Sequence, residues 1–257
     1  MSFKSFLQKE VNINGKDADL FPSGYHQIGD IKVIKLKPEV LKYKRNIANA
    51  VLKLPNTRIV CIKRGKEIEA VTGGMDTETI HIEDGIKYKL DVRSFDFSRS
   101  YFKEKQRLVK KIKKGEVIFD VNSGIGELAI PLAKSGAFVY CFESDPIALA
   151  YLNKNRELNN ILGNIRIKEG DARIEIPKLG KIADKVIIRE HKGILLTLKD
   201  VIKKGGVIHY NTILNIGEEK ELLKDIKSVF KGARLIGVKT IKKVSPKKHQ
   251  AVLDIKI

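Results

Sequence analysis

Three carboxylates and one glycine-rich turn carry the chemistry that is legible in this chain. Asp120 closes the strand-like run EVIFDV, and Asn122-Ser123-Gly124-Ile125-Gly126-Glu127-Leu128-Ala129 follows directly. Glu143 ends AFVYCFE just before Asp145-Pro146, and Asp171 follows NIRIKEG. Glycines at such a turn let the backbone approach a ligand closely, while the next helix offers free amide ends. GIGELA fits the dinucleotide fingerprint G-x-G-x-x-A, which alone does not separate a nicotinamide site from a nucleoside-sulfonium site. A carboxylate at Glu143 can accept both ribose hydroxyls in either case. Asp120 can face an ammonium and sulfonium end, and Asp171 can accept from an adenine amino group. These two acids favour S-adenosylmethionine (SAM) over NAD. The bland alternative is that the acids only cap helices.

Those residues need elements to position them. From Phe97 onward strand and helix signals alternate: EVIFDV, ELAIPLAKSG, AFVYCFE, DPIALAYLNKNRELN, NIRIKEGDA, ADKVIIRE, a helix through Lys204, and GGVIHYNTI. Repeated βα units of this length predict a doubly wound parallel sheet. ARLIGVKTIKKV and HQAVLDIKI can add an antiparallel pair at its edge. The fold class expected is α/β, a Rossmann-like domain over 94–257 preceded by a small α+β domain over 1–93. In that first part IKVIKL reads as a strand, PEVLKYKRNIANAVLKL as a helix opened by Pro38, and TIHIEDGIKYKLDV as a hairpin turning at Asp84-Gly85. His26 and His81 stand alone and read as structural. His209 reads as a packed or hydrogen-bonded core residue.

Composition narrows the partner. Fifty Lys and Arg against 31 Asp and Glu leave a net charge of +19 in 257 residues, while 42% hydrophobic content is too high for a disordered basic tail. No apolar run approaches the roughly 20 residues of a membrane span, and no signal peptide is evident at the N-terminus. Only Cys61 and Cys141 are present, which excludes a disulfide framework or a cysteine zinc cluster; no metal is expected. A cytoplasmic location follows as the expectation. The charge is uneven. KEKQRLVKKIKK (103–114) has seven bases and one acid, and KTIKKVSPKK (239–248) has five lysines and none. Such stretches suit a polyanion.

In this order the motifs resemble one family: the archaeal and eukaryotic enzymes that modify the guanosine 3′ of the tRNA anticodon. It joins guanine-N1 methyltransferases to wybutosine-pathway aminocarboxypropyltransferases, both SAM-dependent. The resemblance spans about residues 25–257 and rests on EDGIKYKLDV, Phe97-Ser98 leading to Lys103-Glu104-Lys105, DVNSGIGELAIPLAK, FESDPIALAYLNKNRELN, GDAR, ADKVII, GGVIHYNT and SPKKHQAVLDIKI. It implies that Ser98, Lys105, Glu143, Asp171 and Ala172 contact SAM, that Gly124 and Gly126 shape the loop, and that the first domain helps hold tRNA. In length the chain looks more like the aminocarboxypropyltransferase branch.

Near the reacting base the chain departs from both branches. The methyltransferases carry Asn-Leu-Pro after the fourth strand and the aminocarboxypropyltransferases Gly-Tyr-Val; here Arg189-Glu190-His191 stands there. An arginine that follows Phe-Ser-Pro in the methyltransferases is replaced by Arg99, one position early. Methylation of guanine N1 needs a base to take its proton and a cation near O6. Glu190 is the expected base, and Arg189 or Arg99 the expected O6 donor. That equipment favours methyl transfer. The alternatives are aminocarboxypropyl transfer to a wyosine-type base, or a paralogue that binds tRNA and SAM without chemistry. A small-molecule methyltransferase fits the charge less well. Charge reversal of lysines other than Lys105 within 103–114, and of those within 239–248, should weaken tRNA binding and flatten its salt dependence while sparing SAM affinity, measured by filter binding at several salt concentrations.

Overall fold

The computed structural model describes residues 1–13, 15–189 and 192–257. The chain forms two compact units, Met1–Phe97 and Ser98–Ile257.

The first unit begins with α1 (Phe3–Val11), whose Ser2 side chain caps the Ser5 amide, and a single turn, α2 (Lys16–Asp19). Strands β1 (His26–Ile28), β2 (Ile31–Lys35), β3 (Ile59–Arg64) and β4 (Glu67–Thr72) make a sheet in the order β1-β2-β3-β4. β2 and β3 run parallel, and the connection between them holds a 3₁₀ turn at Pro38–Tyr43 followed by α3 (Lys44–Leu52). IKVIK is therefore buried on both faces rather than alternating, as a strand inside a parallel crossover must be. Leu7, Ile34, Val40, Ile47, Val51, Val60 and Ile62 form its core. The expected hairpin is β5 (Glu78–Glu83) and β6 (Ile86–Asp91), with Asp84 and Gly85 both in the left-handed region that its two-residue turn requires. His81 is structural: its Nδ1 accepts the Gly29 amide at 3.1 Å.

The second unit carries one seven-stranded sheet. Its strands are β7 (Val117–Val121), β8 (Phe138–Glu143), β9 (Ile165–Glu169), β10 (Ala183–Arg189), β11 (Ile202–Asn215), β12 (Arg234–Lys243) and β13 (Lys248–Lys256). The order is β12-β13-β11-β10-β7-β8-β9: five parallel strands with an antiparallel pair at one edge, as the sequence predicts. From β7 the chain moves outward through β8 and β9, then returns to the other side of β7 for β10 and β11. That reversal opens a crevice at the C-terminal ends of β7 and β10, where α/β sheets bind ligands. The helices are α4 (Phe102–Lys110), α5 (Ala129–Lys134), α6 (Pro146–Leu158), α7 (Ala172–Glu175) and α8 (Glu219–Val229). The helix expected through Lys204 is absent; two 3₁₀ turns, Lys192–Ile194 and Leu196–Leu198, replace it. Because β11 already starts at Ile202, the connection has room only for single turns that bury Ile194, Leu195 and Leu198.

The basic stretch 103–114 is divided by this packing. Lys103, Lys110, Lys113 and Lys114 are exposed, but Lys105 is buried and Arg107 turns inward. Arg107 holds Glu104 (Nε–Oε2 2.7 Å) and Asp254 (2.5 and 2.9 Å), and Lys111 reaches the same Asp254 at 2.8 Å. Asp254, only 2% exposed, also meets His209 Nδ1 at 2.6 Å, its register partner across β11 and β13. His209 is thus a hydrogen-bonded core residue. Burial works to raise the Asp254 pKa, but the bonds from His209 and Arg107 outweigh it and hold the carboxyl well below the ordinary carboxylate range. The stability this supplies is complete above about pH 4, the unfolded value, and is lost as pH falls below it. Asp254→Asn should lower the unfolding free energy by about 3–5 kcal/mol at neutral pH and flatten the acid limb of the stability profile, both read by urea denaturation.

Candidate functional site

Alternation along the strands decides which side chains reach the crevice. In the parallel ladders Asp120 is level with Cys141 on β8 and with Ile187 on β10. Two residues further along each strand, on the same face, stand Glu143 and Arg189. The opposite face carries Phe119, Val121, Phe142, Val186 and Ile188, all in the hydrophobic core. Across β8, β7 and β10 this face is apolar toward the strand ends, and the other gathers Asp120, Glu143 and Arg189 there.

The loop after β7 is fastened at several points. Ser123, fully buried, donates its hydroxyl to the Asp120 carbonyl at 2.7 Å, and its amide donates to the Phe142 carbonyl at 3.1 Å. Gly126 has φ +87°, and a Cβ there would stand 2.7 Å from Leu152 Cδ1 and 3.0 Å from Ile130 Cδ1. A larger residue there needs the positive φ and a shift of the Leu152 and Ile130 side chains. Gly124 also needs the left-handed region (φ +56°), yet a Cβ on it would meet nothing within 4 Å. Open space in front of Gly124 is what a glycine loop presents to a ligand.

Glu143 ties the loop to β8. Its Oε2 accepts the Gly124 amide at 2.7 Å, and Oε1 accepts the amides of Ser144 (2.8 Å) and Asp145 (3.0 Å). Oε1 already accepts two amides, and Oε2, which accepts one, keeps capacity for a hydroxyl donor. Asp171 lies past β9, where its Oδ1 caps the Arg173 amide at 2.8 Å and its carboxylate pairs with the Arg173 side chain. Ala172 is buried as the first residue of α7.

Asp120 is completely buried, and Arg189 NH2 lies 3.5 Å from both of its oxygens. Burial raises the Asp120 pKa, Arg189 opposes the rise, and Glu143 and Glu127 add to it. Burial works to lower the Arg189 pKa, and Asp120, Tyr101 and Glu127 together raise it. Lys105 is buried against Glu127 of the glycine loop, Nζ to Oε1 at 3.1 Å. Ser98 shares a 2.7 Å hydrogen bond with Ser100, and Arg99 is exposed on the 3₁₀ turn that leads into α4. Glu190 lies outside the described residues. The structure therefore brings together Asp120, Arg189, Glu143 and the two glycines, but Arg189 and Arg99 are placed differently. Cys141, on the same face, is buried and its thiol pKa is pushed up by that burial. Among the described residues no group of three or more His, Cys, Asp or Glu converges on a metal position.

Sequence reasoning missed two partners. Glu127, inside the motif, turns to Lys105 rather than to solvent; its position in GIGELA was the available signal. Asp254 was noticed only as part of a terminal motif, and its link to His209 follows from strand register alone.

Comparison with known proteins agrees with this geometry. Residues 79–240 match the TRM5/TYW2 methyltransferase domain, and residues 4–79 match the TYW2 N-terminal domain. The chain is 32% identical, over 93% of its length and 90% of the relative, to the tRNA(Phe) (4-demethylwyosine(37)-C(7)) aminocarboxypropyltransferase of Pyrococcus horikoshii. It is 29% identical, over 96% of its length and 78% of the relative, to the tRNA (guanine(37)-N(1))-methyltransferase Trm5b of Pyrococcus abyssi. The crystal structure of P. horikoshii TYW2 in complex with MeSAdo superposes with a TM-score of 0.86 at 27% identity, covering 99% of this chain and 98% of that one. The matched span holds the glycine loop, all three strand-end acids and Arg189, and on that ground the chain belongs to the TRM5/TYW2 methyltransferase domain family.

Proposed function

We propose that this protein modifies the base at position 37 of tRNA with a group taken from SAM, and that the group is aminocarboxypropyl. The observation that carries the choice is the first unit: residues 4–79 match the TYW2 N-terminal domain. The P. horikoshii aminocarboxypropyltransferase is also matched nearly end to end. The preference for methyl transfer read from the sequence rested on Arg189 and Glu190 as donor and base. Arg189 lies 3.5 Å from Asp120 and Arg99 remains an alternative donor, so the donor does not decide between the two reactions.

The residues present fit SAM. Three acids, Asp120, Glu143 and Asp171, stand at the ends of adjacent strands or just past them, and open space lies before Gly124. In this assignment Asp171 and Ala172 bound the adenine, Glu143 takes the ribose hydroxyls, and Asp120 faces the cationic end. Ser98 and Lys105 are further cofactor contacts in this assignment, and Lys105 also holds Glu127 of the loop. SAM, when bound, supplies a carbon beside a positive sulfur, and the C–S bond that breaks leaves its electron pair on sulfur. The acceptor carbon of the wyosine-type base gives up a proton, so the demand on this chain is orientation more than a strong base. The exposed lysines at 239–248 and at 103, 110, 113 and 114 are the basic groups of the second unit assigned to tRNA. Arg99, exposed, belongs with them.

Methyl transfer is the second reading, favoured by the likeness to Trm5b over 96% of this chain. SAM labelled separately in the methyl and carboxyl carbons, incubated with unmodified and with 4-demethylwyosine-containing tRNA, decides between them. Carboxyl label alone on the latter is expected. Methyl label on unmodified tRNA would establish the second reading, and no transfer on either would leave a binding protein. The cofactor assignment has its own check. Glu143→Gln must turn an NH2 toward a backbone amide donor, at a cost of about 1–3 kcal/mol in stability. It should also shrink the thermal stabilisation given by S-adenosylhomocysteine, measured by melting with and without ligand.

A further inference from the structure

The order of strands in the crevice imposes an order on any elongated ligand lying across it. Passing from β9 to β8, β7 and β10, the polar side chains met are Asp171, Glu143, Asp120 and Arg189. Neighbouring strands are about 4.8 Å apart. A ligand with adenine at Asp171 and ribose at Glu143 must therefore carry its remaining chain over β7 and onto β10. For SAM, the cofactor of the function proposed above on which this inference rests, that chain ends in an α-ammonium and an α-carboxylate.

The two side chains waiting there have the opposite charges. Asp120 is buried and anionic in chemistry, and Arg189 presents a guanidinium whose side chain is 24% exposed. Their mutual contact is a poor one. At 3.5 Å from NH2 to each oxygen it lies beyond the 2.7–2.9 Å of a good charge-assisted bond. Arg189 Nε is buried without a hydrogen-bond partner. A guanidinium offers five donors in a planar fork that matches a carboxylate bidentately, and most of that capacity is unspent. A buried pair held so loosely is incomplete by itself.

We propose that Arg189 is the residue that binds the α-carboxylate of the cofactor's amino acid end, while Asp120 takes the α-ammonium. Binding is then an exchange of ion pairs: one loose internal pair is replaced by two pairs with the amino acid end, whose own ammonium and carboxylate cancel. This reverses the role expected from sequence, where Arg189 was to face O6 of the acceptor base. It also gives the arginine a bearing on the reaction. In methyl transfer the amino acid end is a remote handle; in aminocarboxypropyl transfer it is the group that moves, so a clamp on its carboxylate aims the reacting carbon.

The test uses two ligands that differ only in that end. S-adenosylhomocysteine carries the amino acid, and 5′-methylthioadenosine keeps adenine, ribose and sulfur without it. Isothermal titration of the full-length protein with each, for wild type, Arg189→Lys and Arg189→Met, reads the carboxylate contact directly. The Met variant should lose about 10- to 100-fold in affinity for S-adenosylhomocysteine, the size of a charged hydrogen-bond contact, and less than threefold for methylthioadenosine. The Lys variant should recover part of the loss. Equal affinity of wild type and Met variant for S-adenosylhomocysteine would overturn the inference while leaving the SAM reading intact. A parallel loss for both ligands would overturn it as well, since that marks general damage to the site. Failure of the wild type to bind either ligand would sink the SAM reading itself.

Discussion

Pairing register governs everything that reaches the crevice. Side chains alternate between the two faces of a strand, so the levels Asp120–Cys141 and Asp120–Ile187 fix Glu143 and Arg189 on the same side as Asp120. The same levelling continues across the sheet: Ile187 pairs with His209, and His209 with Asp254. A slip of one residue in any ladder would turn its polar set into the core occupied by Phe119, Phe142, Ile188 and Tyr210. The apolar face thus enforces the position of the polar one. Stability and site are two consequences of one alternation.

The polar face carries a cost that the chain meets in two different ways. Charges removed from water need partners, and at the edge of the parallel strands Asp254 and Glu104 have them at short range. Asp254 is held by His209, Arg107 and Lys111, and Glu104 by Arg107, which locks α4 onto β11 and β13. Glu143 is likewise satisfied by three backbone amides. Asp120 is the exception: among the described residues its cation is Arg189, at 3.5 Å. A saturated network gives rigidity, and an unsaturated pair gives a place for a ligand. The contrast between Asp254 and Asp120, both buried carboxylates on one face, separates structural from functional charge in this fold.

Much of this was legible in the sequence, for a physical reason. The glycine loop, the acids that end EVIFD and AFVYCFE, the βα alternation and the Asp84-Gly85 turn are all local signals, written in adjacent residues. Asp171, after NIRIKEG, belongs with them. The segment after β10 was misread because a helical pattern in sequence gives no warning that β11 begins only a few residues later. α1 also escaped notice, although Ser2 caps it. Charge was the least local property: of the seven bases at 103–114, Lys105 and Arg107 turn inward to Glu127 and to Glu104 and Asp254. Composition counts them with the rest, and only packing tells them apart. Arg189 shows the same limit, since its residue type announced a donor but the sheet decides what it faces.

A crystal structure of the protein with S-adenosylhomocysteine tests the central claim most directly. Adenine is expected beside Asp171, ribose hydroxyls on Glu143, the ammonium on Asp120, and the carboxylate within hydrogen-bond distance of Arg189, which will have loosened from Asp120. A ligand running the other way across the strands, or a carboxylate placed elsewhere with Arg189 still on Asp120, would contradict it.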